Sequence, residues 1–253
     1  NMLNQNTLVS AVINCHNGSK FIDRSLKSII NQSYKNIEII IWDNASTDET
    51  KKLISNFTDK RIKYYYDTTF RNLYDARNQA LKKVNGQYVC FLDVDDYWSK
   101  KKIELQLNNI IKTNSDISFT NCIEKSEKCM INKIIPDNYI LNLNENLMKK
   151  NYFIISSVMI RSKILISKNF NFNNKFNIIG DFELWSRLSL NKRIKFTKIN
   201  DLLITRYIHD KNESKIKINQ YVRELDRFIN NNKKNKNIRF LQYQLMNMII
   251  CNF

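Results

Sequence analysis

Along the first hundred residues the chain switches between two hydrophobic rhythms. "LVSAVINC" (8–15), "IEIIIWD" (37–43) and "QYVCFLD" (87–93) are almost continuously apolar and rich in β-branched residues, the pattern of short strands covered on both faces. "RIKYYYD" (61–67) reads as a further strand. Between these runs the period lengthens. Phe21, Ile22, Leu26, Ile29 and Ile30 recur at helical spacing within residues 19–34, and "YDARNQALKKV" (74–84) is helical in the same way. Ser19 is the expected N-cap of the first helix. Ser46 or Thr47 is expected to cap a helix after the second strand, with Asp48 and Glu49 in its first turn complementing the dipole. Asn85-Gly86 is expected to end the third helix.

This β-α-β-α-β-α-β order over about 95 residues predicts an α/β domain with a mostly parallel sheet and helices on both faces. Ligands of such sheets lie beyond the carboxyl ends of the strands. Three of those ends carry polar clusters: Asn14-Cys15-His16-Asn17, Asp43-Asn44, and Asp93-Val94-Asp95-Asp96.

The second half is less regular. A helix is predicted at 101–112, a strand at 116–123, and a helix at 180–191 whose apolar face carries Phe182, Trp185 and Leu188. Residues 124–150 are variable and polar, and 152–165 mix strand and helix signals. Residues 194–210 read as a hairpin or two short strands. From Lys211 the chain is Lys/Asn-rich and helical, with a junction near 230–237. No internal repeat is evident.

A length of 253 residues fits one large domain, or a domain with an appendage. Lys and Arg number 41 against 24 Asp and Glu, a net charge of +17. Such an excess suits nucleic acid, anionic lipid or polyphosphate ligands, and does not choose among them. No window of 18 uninterrupted apolar residues occurs. The start lacks the features of a signal peptide, Met2 is the expected native start, and the five Cys are expected to be reduced thiols. No Cys/His metal spacing, GxGxxG fingerprint or GxxxxGK[ST] loop is present.

Three aspartates within four residues at a strand end repel one another unless a cation neutralises them. Mg²⁺ and Mn²⁺ are hard ions held by one or two carboxylates plus substrate phosphates. A solvated turn with capping aspartates is the plainer alternative.

"VSAVINCHNGSKFIDRSLKSIINQSYKNIEIIIWDNASTDET" followed by "DARNQALKKVNGQYVCFLDVDD" resembles the family 2 glycosyltransferases of the GT-A fold, across roughly residues 8–100. "GDFELWSRL" and "RYIHDKNES" are similar to later parts of that family. The resemblance implies a GT-A domain over 1–210, with a nucleotide-binding half (8–100) and an acceptor-side half (101–210), and leaves 211–253 as a basic helical C-terminal extension. It implies that Asp93, Asp95 and Asp96 hold Mn²⁺ or Mg²⁺ on the diphosphate of a nucleotide sugar, with Asp95 in direct contact and Asp93 near the ribose or metal.

Further roles follow from the same resemblance. Asn14, His16 and Asn17 fall in the loop that embraces the base, here without the family's usual Pro and Tyr. Asp43-Asn44-Ala45-Ser46 replaces a frequent Asp-Asp-Gly-Ser. Asn44 stands where an acid often receives a pyrimidine N3–H, and its amide oxygen can accept the same bond. Arg77 matches a position near the diphosphate, or else forms a helix-surface ion pair. Asp181, preceded by Gly180 where Glu is common, matches the acid that deprotonates the acceptor hydroxyl, or else caps its helix. Glu183 would face elsewhere, and Trp185 and Arg187 are read as packing and support. His209 is expected near the metal and diphosphate, or as a structural hydrogen bonder, and Ser214 near a phosphate.

The implied activity is inverting, metal-dependent transfer from a nucleotide-linked sugar, pyrimidine-based by expectation, to a hydroxyl of a glycan or lipid-linked acceptor in surface polysaccharide, lipooligosaccharide or capsule assembly. A nucleotidyl- or phosphotransferase is the alternative enzyme, and a basic nucleic-acid-binding protein the alternative binder. No recognised nucleic-acid module is present, so no nucleic-acid partner is expected. The expected location is cytoplasmic. A cationic helix carrying Phe240, Leu241, Leu245, Met246, Met248, Ile249 and Ile250 either rests on the inner face of the membrane or packs on its own domain.

Overall fold

A computed structural model describes residues 6–167, 170–209 and 217–251, with side chains through 246. Strands β1 (Val9–Cys15), β2 (Ile37–Asn44), β3 (Ile62–Asp67) and β4 (Tyr88–Asp93) alternate with helices α1 (Ile22–Ile30), α2 (Thr50–Ser55) and α3 (Leu73–Leu81). All four strands run parallel in the order β3-β2-β1-β4, with Asn14 in register with Trp42 on one side and Asp93 on the other. After β5 (Tyr97–Trp98) and α4 (Lys102–Thr113), the sheet extends through β6 (Ile117–Lys125), its hairpin partner β7 (Met130–Lys133), β8 (Met159–Arg161) and β9 (Phe196–Tyr207). The order beyond β4 is β8-β6-β9-β5. Helices α5 (Leu143–Lys149), α6 (Ser162–Ile166), α7 (Gly180–Leu190), α8 (Ile218–Asn231) and α9 (Ile238–Cys251) complete the described chain.

The strands β1, β2 and β4 are buried nearly throughout because both sheet faces are covered. On one face Ala11, Ile13, Ile39, Ile41, Cys90 and Leu92 pack against Ile22, Leu26 and Ile29 of α1 and Ile103 and Leu107 of α4. On the other, Val12, Ile40, Val89 and Phe91 pack with Tyr74 of α3 and Trp185 and Leu188 of α7. This alternation by strand parity sets which side of the sheet each carboxyl-terminal residue faces.

Several local expectations change. Ser19 does not cap α1, which begins after Phe21 with no side-chain cap. Neither Ser46 nor Thr47 caps α2: Asp48 Oδ1 accepts from the Thr50 backbone N–H at 3.0 Å and hydroxyl at 2.5 Å. The third helix ends at Leu81, ahead of Asn85-Gly86. Residues 196–207 form one strand, not a hairpin. The polar "IND" step, which looks like a turn, is absorbed as a bulge where Thr120 pairs Ile199 but Asn121 pairs Leu202.

The junction near 230–237 falls between α8 and α9, as expected. The 210/211 boundary and Ser214 lie outside the described residues. Both C-terminal helices are built into the main core: Leu225, Phe228, Ile229, Ile238, Leu241 and Leu245 join the cluster that holds Phe182 and Trp185. Among the described residues no helix is long and apolar enough to cross a membrane. Cys15, Cys90 and Cys122 are buried free thiols, and Cys129 is an exposed one.

Candidate active site

The winding direction of the sheet reverses at β1: the chain builds β2 and β3 on one side of it and then returns to place β4 on the other. Strand ends separate at such a switch point and leave a crevice. Here it is a cleft of about 720 Å³ lined by the ends of β1, β2 and β4, the start of α3, the α7 N-terminus, and Lys217 and Gln220 at the start of α8.

The three aspartates that follow β4 do not act alike. Asp93 is the most open, with 39% of its side chain exposed, and its Oδ1 accepts from Arg77 Nη2 at 2.6 Å. Asp95 Oδ2 lies 3.0 Å from His209 Nε2. His209 is itself stacked on Phe21 with centroids 5.1 Å apart. Asp96 is 2% exposed. Its Oδ2 accepts from Ser156 Oγ at 2.6 Å and its Oδ1 from the Tyr207 backbone N–H at 3.1 Å. Asp96 therefore ties β9 and the 155–157 turn to the acidic loop, while Asp93 and Asp95 present carboxylate to the cleft. Burial, and then the Asp93 charge, push the Asp95 carboxyl above its usual range against the pull of His209. Burial and both neighbouring carboxylates push Asp96 well above it.

The donor set fits a hard divalent cation. Two carboxylates and one imidazole converge on the cleft, and a cation would relieve the burial and the Asp93 repulsion that raise the Asp95 carboxyl. Among the described residues no three His, Cys, Asp or Glu side chains form a ready-made cage. Substrate oxygens and water would have to complete the coordination shell, the usual habit of Mg²⁺.

At the other end of the cleft, His16 Nδ1 lies 2.8 Å from the Asn44 carbonyl, and its ring meets Phe70 edge-on at 4.6 Å. Asn17 takes a left-handed backbone (φ 50°), and its Oδ1 accepts from the Thr47 N–H at 2.8 Å. Asp43 is fully buried and holds the turn, accepting from Ser46 N–H and Tyr64 O–H. Asn44 clasps the backbone of Arg71, donating to its carbonyl at 2.8 Å and accepting from its N–H at 3.0 Å. That clasp brings Phe70 over His16. Asn14 is the opposite case: it lines the cleft, is 9% exposed, and among the described residues neither its amide oxygen nor its nitrogen has a partner. Burying an amide unpaired costs free energy that a polar ligand recovers.

Asp181 sits on the first turn of α7, whose N-cap is Ile179, so it does not cap that helix. Its Oδ1 accepts from the Phe182 N–H at 2.7 Å and faces the Tyr74 hydroxyl at 3.4 Å. Burial pushes its carboxyl above the usual range, opposed mainly by Arg77. Gly180 is required here: a Cβ would lie 2.5 Å from the Tyr74 ring. Glu183 turns away and pairs with Arg187 at 2.7 Å, and Trp185 is fully buried. The guanidinium of Arg77 is buried against the stacked rings of Tyr74 and Phe172, 5.5 and 5.6 Å from their centroids, rather than on the helix surface.

Sequence reasoning missed Phe70, Arg206 and Glu224. Phe70 follows an ordinary strand-end turn. Arg206 lines the cleft, and Asp96, Glu124 and Asp93 hold its charge against burial. Glu224 accepts from the N–H groups of Asn177, Ile178 and Ile179 at 2.8, 2.9 and 3.2 Å, which fixes the segment leading into Asp181. Its signal was a buried-face position on an amphipathic helix.

Fold and cleft together define a GT-A type transferase, with a parallel first half and an acidic strand-end loop at the switch point. The glycosyl transferase family 2 model matches residues 10–171, and the chain belongs to that family. It is 29% identical over 193 residues, 76% of this chain and 73% of the relative, to the UDP-Glc:alpha-D-GlcNAc-diphosphoundecaprenol beta-1,3-glucosyltransferase WfgD of Escherichia coli. Among solved structures, S. aureus TarS 1–349 in complex with UDP-GlcNAc superposes with a TM-score of 0.71 at 18% identity, over 87% of this chain and 65% of that one. The mannosyltransferase PcManGT from Pyrobaculum calidifontis, in complex with GDP-Man and Mn²⁺, gives 0.68 at 14% identity over 94% and 68%. At these identities the likeness concerns the fold. The chain spans just under two thirds of the TarS fragment.

Proposed function

We propose that this glycosyltransferase moves a sugar from a nucleoside diphosphate donor, held through Mn²⁺ or Mg²⁺, to a hydroxyl of a lipid-linked or glycan acceptor, with inversion at the anomeric carbon. The observation that carries the proposal is the convergence of Asp93, Asp95, His209, Arg77 and Asp181 on one cleft at the switch point of the sheet. WfgD, by its name, uses UDP-glucose and a diphosphoundecaprenol-linked sugar, which supports a pyrimidine donor and a surface-glycan setting.

Asn14, His16, Asn17 and Phe70 receive the nucleoside, with the free amide of Asn14 as its buried polar contact. The Asn44 amide already holds Arg71, so it acts by shaping the pocket as well as by any bond its oxygen adds. Asp93, Asp95 and His209 are the residues that would hold the cation, and Asp96 fixes the loop from behind. Bound there, the cation offsets the diphosphate charge and stabilises the departing nucleotide.

Asp181 takes the proton of the acceptor hydroxyl as the oxygen attacks the anomeric carbon. The bond from that carbon to the diphosphate oxygen breaks, and its electron pair leaves with the nucleotide. A carboxyl raised above its ordinary range is a stronger base for that step. Arg77 holds Asp93 by a 2.6 Å bond and aims it into the cleft.

The test is thermal stabilisation by nucleotide sugars with and without Mn²⁺. Stabilisation that depends on the cation and disappears in Asp95→Asn is the expected result. Equal stabilisation without a cation would remove Asp95 from metal binding.

A further inference from the structure

We infer that the acceptor is recognised as an anion: a phosphate or diphosphate group it carries lies in a basic groove that leaves the cleft along α8. The inference rests on the reading of Asp181 as the acceptor-side base.

A second depression, of about 480 Å³, is lined by Lys217, Arg223 and Arg227 together with Asn177, Asn219 and Gln220. Asn177, Lys217 and Gln220 also line the catalytic cleft, so the two depressions adjoin. Gln220, Arg223 and Arg227 fall three and seven residues apart and therefore project from one face of α8. The groove begins on the Asp181 side of the cleft: on α8, Glu224 accepts from the Ile179 N–H two residues ahead of Asp181, and Phe228 meets the Phe182 ring at 5.2 Å.

Two acids, Glu224 and Asp226, neighbour the arginines on α8; Asp226 is exposed, accepts from Asn230 Nδ2 at 3.2 Å and does not line the depression. Glu224 is 3% exposed, and its oxygens are taken up by three backbone N–H groups and by Gln220 Nε2 at 3.0 Å. Among the described residues Arg223 and Arg227 enter no ion pair, and Arg227 only donates to the Lys175 carbonyl at 3.2 Å. The N-terminal end of the 14-residue α8 adds a positive dipole end at the mouth of the groove. Planar guanidinium groups match phosphate oxygens two at a time, which favours phosphate over a lone carboxylate. A sugar whose hydroxyl meets Asp181 while its reducing-end phosphate points along α8 would satisfy both ends of this surface.

The experiment is isothermal titration of the full chain with inorganic pyrophosphate in EDTA, repeated with Arg223→Ala/Arg227→Ala and with the distant control Lys51→Ala/Lys82→Ala. Loss of two charge-assisted contacts is expected to weaken binding by about tenfold or more in the arginine variant, with less than about a twofold change in the control. Binding of UDP with Mn²⁺ is expected to survive in the arginine variant. No pyrophosphate binding by the unaltered chain, or equal weakening in both variants, overturns the inference. A second arm uses phosphatidylglycerol vesicles. Vesicle binding that needs Arg223 and Arg227, with no binding of pyrophosphate, would make the groove a lipid-surface contact and also overturn it. If pyrophosphate binds through the arginines but UDP with Mn²⁺ does not bind at all, the anion groove stands and the sugar-transfer reading falls.

Discussion

Arg77 Nη2 donates to Asp93 Oδ1 at 2.6 Å, from a guanidinium buried against the stacked rings of Tyr74 and Phe172 to a carboxylate at the cleft surface. The pair links the hydrophobic core to the acidic loop. Arg77→Met removes the cation and leaves Asp93 facing Asp95. Breaking a fully buried pair costs about 3–5 kcal/mol; since Asp93 is 39% exposed, the expected loss is about 2 kcal/mol. Urea unfolding measures it, and an unchanged midpoint would show that the pair is not structural.

Asp181→Asn is expected to lower kcat by about 10²–10⁴-fold while donor binding stays within about twofold. Because burial raises the carboxyl, kcat of the unaltered enzyme should climb with pH through a pKa above the ordinary 3.8 and then level off. That acid limb should vanish in the variant. Near-normal turnover by Asp181→Asn would place the base elsewhere.

Glu38 holds the opposite end of the sheet. It accepts from Ser10 Oγ, Lys63 Nζ and the backbone N–H groups of Asn85 and Gly86. Burial would raise its carboxyl, but the bonds from Lys63, Ser10 and Asn85 outweigh that and hold it at about 2. A folded pKa below the unfolded value near 4.5 gives stability that is complete above that pH and is lost as pH falls toward 2. Glu38→Gln should cost about 2 kcal/mol at pH 7 and roughly 40% of that at pH 3. Unfolding curves at the two pH values decide it; an equal cost at both would refute the linkage.

Glu224→Ala leaves three backbone N–H groups ahead of α7 without their acceptor. A loss of about 2–3 kcal/mol is expected. With Asp181 released, kcat should drop by about tenfold while the donor KM holds. A fall in donor affinity equal to the fall in kcat would mean that the whole cleft, rather than Asp181, had moved.

The parallel half of the fold could be read from sequence because its signals are local. Continuous apolar runs in β1, β2 and β4, and helical spacing in α1, each lie within a dozen residues. The second half resisted because its decisive pairings are remote. The polar step at Asn200-Asp201 looks like a turn until β6 is laid beside it and takes it up as a bulge. The partners of Glu38 and Glu224 lie on other elements, so nothing in the local pattern marks either residue as a structural anchor.

By itself the sequence determined the alternation of strands and helices, the polar residues at the strand ends, and their clustering at the carboxyl edge of a parallel sheet. All of these follow from periodicity and chain direction. Only the tertiary structure decided which carboxylate does what. Asp96 accepts from a backbone N–H 111 residues away and turns inward, while Asp93 and Asp95 stay in the cleft. Past a strand end no repeating period fixes where a side chain points, so that choice falls to whichever distant donor the folded chain delivers.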